Sequence, residues 1–110
     1  MIFYELINSR LAGLSLLEQD EVLVKIEEII HDYNLDITQK TTLSTKKGSI
    51  HYHLKQGNYP GVLEVTYWPQ KNRLWLEIHD NRRAHWNEEI ILVFSEKLAA
   101  YFGGSVSKTE

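Results

Sequence analysis

His51 and His53 are one residue apart, so on an extended strand both imidazoles point to the same face. Glu64 and Glu77 fall in two later runs of alternating residues, and His79 closes the second of them. Paired imidazoles with a carboxylate are the ligand types of a zinc-like centre. Two carboxylates held close push one pKa upward, which lets an acid and a base work side by side. Metal-assisted or acid–base chemistry through His53, Glu64 and Glu77 is therefore one expectation. Most such His pairs are solvated strand residues, so the sequence alone assigns no metal, no cofactor and no catalytic residue.

Aromatic and basic residues on the same runs suggest a different use. Trp68, Arg73 and Trp75 alternate with Tyr67, Leu74 and Leu76, and so share a face with the His and Glu residues. Trp, Tyr, Arg and His are enriched at protein-binding hot spots. The first-placed expectation is a non-enzymatic protein-interaction module, with His51, His53, Glu64, Trp68, Arg73, Trp75, Glu77 and His79 as its binding set. Its partner would be another protein or a second copy of the chain, giving a homodimer. A single-stranded nucleic acid is a third expectation, since open aromatics among basic side chains can stack bases. Glu64 and Glu77 in the middle of that path argue against it. Arg82, Arg83 and His85, between the last alternating run and the last helical one, form a secondary loop site. No phosphate loop, dinucleotide fingerprint or Gly-x-Ser-x-Gly elbow is present.

The elements that must position these residues are readable from periodicity. Phe3, Leu6, Ile7 and Leu11 at helical spacing predict a first helix over residues 2–12, stopped by Gly13. Ser15 and Glu18 have capping-box spacing ahead of a second helix over residues 16–33, with Leu23, Ile26, Ile30 and Tyr33 as its stripe. A Thr-rich segment over residues 37–44 predicts a weak edge strand. Three better-patterned strands follow, carrying Ile50, Tyr52 and Leu54, then Leu63, Val65 and Tyr67, then Leu74, Leu76 and Ile78. The short turns set a register with Trp68 opposite Arg73, Glu64 opposite Glu77 and His53 opposite Glu64. From Asn87 the period returns to 3.6 and predicts a last helix closed by Gly103 and Gly104. The expected fold is a two-layer α+β domain over residues 1–104: a four-stranded antiparallel meander with two N-terminal helices and one C-terminal helix. Residues 105–110 are expected to be a flexible tail.

At 110 residues with 43% hydrophobic side chains, the chain suits one globular domain. With no Cys, any site chemistry falls to His, carboxylate and hydroxyl groups. The longest apolar run, Ile90 to Phe94, is far too short to span a membrane. No basic, apolar leader opens the chain, and the expected location is cytoplasmic, with no membrane partner. The net charge of −3 hides a polarity: residues 36–83 carry +4, while residues 1–35 carry −5 and residues 84–110 carry −2.

Overall fold

The computed structural model describes residues 1–109. Its strands are β1 (Ile2–Ile7), β2 (Asp36–Thr41), β3 (Ile50–Lys55), β4 (Leu63–Trp68), β5 (Arg73–Ile78) and β6 (Ser105–Thr109). Its helices are α1 (Leu16–Asp32) and α2 (His85–Phe102). The strands form one antiparallel sheet in the order β2-β3-β4-β5-β1-β6. The mixed α+β class holds, but the four-stranded meander with three helices is corrected to six strands and two helices.

Both added strands come from the chain ends. Residues 2–7 are a strand because a second period competes with the helical one: Ile2, Tyr4 and Leu6 are buried, while Phe3 and Glu5 alternate with them. Aromatic and β-branched side chains favour that extended form. β1 then pairs with β5, placing Tyr4 opposite Leu76 and Glu5 opposite Trp75. Residues 105–109, expected to open a flexible tail, instead pair along the far edge of β1. The backbone ladder stabilises β6 more than apolar burial does, so little in its side chains announces it. Gly104 makes the turn into β6 at φ +84°, and a Cβ there would collide with the Ile7 carbonyl.

The central elements follow their sequence signals. Ser15 caps α1, its hydroxyl accepting from the Glu18 amide while the Glu18 carboxylate accepts from the Ser15 amide. The meander register is the one the turns imply, with Trp68 opposite Arg73, Glu64 opposite Glu77 and His53 opposite Glu64. α2 starts two residues earlier than the period suggests. Asn87 sits in its first turn, accepting from the Ala84 amide and donating to the carbonyls of Val62 and Arg82.

One face of the sheet carries Tyr4, Tyr52, Leu54, Leu63, Val65, Tyr67, Leu74, Leu76 and Ile78. These join Val22, Ile26, Ile29 and Ile30 of α1 and Ile91, Phe94 and Leu98 of α2 in a single apolar core. Both helices therefore dock on the same face. The alternate residues of β3, β4 and β5 lie on the face that no helix covers.

Candidate functional site

The uncovered face is built around one carboxylate. Glu64 sits on central β4, between His53 of β3 and Glu77 of β5 in the register. His51 Nε2 lies 2.9 Å from Glu64 Oε1, and His53 Nε2 lies 3.5 Å from the same oxygen. His79, just beyond β5, places its Nε2 3.1 Å from Glu64 Oε2 and 3.4 Å from Glu77 Oε1. Three of the chain's five His thus converge on one carboxylate. Glu64 and His51 are buried, His53 and Glu77 are partly exposed, and His79 opens toward solvent.

Two buried neighbours orient the cluster from behind. Thr66 Oγ1 lies 2.6 Å from His51 Nδ1, a contact its hydroxyl can make as donor or acceptor. As it stands, Nε2–H donates to the Glu64 carboxylate and Nδ1 of a neutral His51 accepts from Thr66. In the other tautomer Nδ1–H donates to Thr66 and the Nε2 lone pair is free for an ion. That is how metal-bound imidazoles are usually held. Trp75 Nε1–H donates to Glu77 Oε2 at 3.0 Å, which leaves Oε1 of Glu77 directed toward His79. A Thr66–His51–Glu64 chain also has the residue types of a nucleophile triad. However, Thr66 is 0% exposed, so no substrate reaches its hydroxyl.

Burial is the largest influence on Glu64 and pushes its pKa up. The hydrogen bond from His51 and the charges of His79, His53 and His51 outweigh it, and the carboxyl ends below its ordinary value. Burial likewise dominates at His53 and pushes its pKa down. Glu64 opposes that shift, while His51, Arg82 and His79 add to it. Beside these groups lies a shallow cleft of about 310 Å³ lined by His53, Glu64, His79, Asn81 and Arg82.

The remaining sequence-selected residues are distributed differently. Trp75 is 4% exposed, covered by its neighbours and not by a helix. Phe3 lies 6.3 Å away between ring centroids, and the Arg73 guanidinium sits 4.6 Å over the indole. Arg73 itself makes a two-pronged pair with Glu5, at 2.6 and 2.9 Å. Trp68 is partly exposed, and its indole N–H donates to the Lys47 carbonyl. In the loop, Arg83 pairs with Glu88 and His85 with Glu89, while Arg82 alone reaches the cleft.

The sequence reading did not single out Thr66 or Asn81. The signal for Thr66 was present, since the meander register sets it opposite His51. Asn81 had only the polar run of its loop as a signal, and the turn from Asp80 to Arg82 brings it to the cleft.

Two sets of ligand atoms, from His51, His53 and Glu64 and from Glu64, Glu77 and His79, each lie within 4.8 Å of one another. A tetrahedral ion with bonds of about 2.0–2.1 Å sets its ligand atoms roughly 3.3–3.4 Å apart. The Glu64–imidazole separations of 2.9 to 3.5 Å bracket that value, and the other pairs within each set lie within 4.8 Å. The chain matches no protein-family model, no curated protein and no solved structure.

Proposed function

We propose that the protein is a small metal-assisted enzyme, the second of the expectations raised by its sequence. Its cation would be a first-row divalent ion such as zinc. The observation that carries the reading is the convergence of three imidazole Nε2 atoms on the Glu64 carboxylate at 2.9, 3.5 and 3.1 Å. His51, His53 and Glu64 would hold the ion, three ligand atoms that lie within 4.8 Å of one another and leave a fourth position open for water, a donor set suited to zinc and its neighbours. The bound ion would supply Lewis acidity and make a water easier to deprotonate. Glu77, fixed by Trp75 and turned toward His79, is positioned to accept that proton as general base. A cation also removes the repulsion between Glu64 and Glu77, which face each other across β4 and β5.

Protein interaction, first in the sequence reading, is left with less to stand on. Trp75 is buried, and the Trp68 indole N–H is already bonded to a carbonyl.

Calorimetric titration of chelator-treated protein with zinc, manganese and nickel tests the reading. One equivalent of at least one ion should bind, Glu64→Gln should abolish that binding, and His85→Ala should leave it intact. Absence of binding by all three ions, or wild-type binding by Glu64→Gln, would overturn it. Glu77→Gln should keep the metal and lose turnover.

A further inference from the structure

We infer that the cleft beside the metal ligands is a subsite for a phosphoryl oxyanion, with Arg82 as its anchor, so that the substrate class is a small phosphate ester. The inference rests on the metal reading and names what the same site would take. Of the four arginines, Arg10 bonds the Tyr101 carbonyl, Arg73 is paired with Glu5 and Arg83 with Glu88. Among the described residues, the Arg82 guanidinium has no such partner; Arg82 lines the same cleft as His53, Glu64 and His79, and its charge is felt at His53. A guanidinium offers a planar fork of donors that matches two oxygens of a phosphoryl group. Asn81 lines the same cleft, and its side-chain amide can supply a further donor.

The turn that carries these two side chains is held in place on several sides. Asp80 pairs with the N-terminal amine. The Arg82 carbonyl accepts from the Val62 amide at 3.2 Å and from Asn87 Nδ2 at 2.9 Å, and Asn87 is fully buried. Arg82 thus lines the cleft from a fixed backbone, which lowers the part of the ordering cost of binding that falls on the turn.

Charge decides when the subsite works. Without a cation, Glu64 and Glu77 confront any anion entering the cleft. A divalent ion cancels the two carboxylates and leaves Arg82 as the surplus positive charge. Anion binding should therefore depend on the metal, with one oxygen of the anion facing the ion and others facing Arg82.

The test uses the full chain loaded with Co(II), whose visible spectrum reports its ligands, titrated with inorganic phosphate. Phosphate should shift the spectrum saturably in the wild type. Arg82→Ala should weaken that response about tenfold or more while leaving the phosphate-free spectrum unchanged. Lys71→Ala, a remote surface charge change, should behave as wild type. Phosphate should not bind the metal-free protein. Three results would overturn the subsite while leaving the metal reading intact. They are a Co(II) spectrum that phosphate does not alter, an equal response in Arg82→Ala, and an equal response to acetate. Failure of Co(II) to bind at all would overturn the metal reading, and the subsite with it.

Discussion

The two faces of the sheet reach similar burial by opposite means. Under the helices, Tyr52, Leu54, Leu63, Val65 and Ile78 are enclosed by apolar side chains from α1 and α2. On the other face no helix is present, yet His51, Glu64 and Thr66 are at most 5% exposed. Long neighbours on adjacent strands cover them, and each buried polar group is met by another. Tyr67 Oη is the one buried side-chain polar atom without a partner among the described residues, and Tyr67 belongs to the apolar core. A polar group costs most where nothing can answer it, so a face full of His and Glu can be better satisfied than an apolar core in which one tyrosine hydroxyl is unanswered. The apolar face holds the fold together. The polar face spends its hydrogen bonds on fixing directions, which is what a binding site needs.

That contrast can be broken from either side. The largest effect on stability should come from the apolar face. Leu63→Ala removes a fully buried side chain and should cost about 2–5 kcal/mol in urea unfolding. A loss below about 1 kcal/mol would mean that this face does not carry the fold. On the polar face, Thr66→Val should cost about 1–3 kcal/mol by leaving His51 Nδ1 unanswered. Its clearer signature should be a drop of about 10–100-fold in metal affinity, the usual effect of removing a ligand's supporting partner. Equal metal binding by wild type and Thr66→Val would remove the orienting role assigned to Thr66.

Trp75→Phe keeps a ring beside Phe3 and Arg73 but deletes the donor to Glu77, and should cost about 1 kcal/mol. Tyr67→Phe should run the other way, neutral or stabilising by up to about 1 kcal/mol, because it deletes the unanswered hydroxyl. A marked destabilisation there would show that the hydroxyl has a partner after all.

The smallest effect concerns pH on the helix side. Burial raises the Glu27 pKa, but hydrogen bonds from Lys40 and Tyr52, together with the Lys40 charge, bring it below its ordinary value. The unfolded chain then takes up this proton more readily than the folded one. The contribution of Glu27 is present above the unfolded carboxyl value of about 4.3 and is lost as pH falls through the lowered folded value. Glu27→Gln should therefore flatten the acid side of a thermal-stability profile slightly. An unchanged profile would show that Glu27 contributes nothing there.

Much of the site was legible in the sequence, and its surroundings were not. The alternation of β3, β4 and β5 together with short turns places His51, His53, Glu64, Glu77 and Trp75 on one face, in the register observed. The chain ends were misread for a physical reason. Phe3, Leu6, Ile7 and Leu11 satisfy a helical period while Ile2, Tyr4 and Leu6 satisfy a period of two, and a short segment cannot distinguish them. β6 exists because β1 offers it an unpaired edge, a fact about the sheet and not about Ser105–Thr109.

The sequence by itself determined which residues share a face, because backbone pleat and turn length act within a few residues of one another. It also excluded thiol chemistry, since the chain contains no Cys, and left imidazole, carboxylate and hydroxyl groups for any site. Only the tertiary structure decided that both helices lie on one side, leaving the polar face to cover itself. It alone turned Trp75 from an exposed anchor into a buried donor to Glu77, and brought His79 and Arg82 from beyond β5 to the side of Glu64. Those outcomes depend on contacts between residues distant in the chain, whose strength is set by packing and local dielectric and not by sequence neighbours.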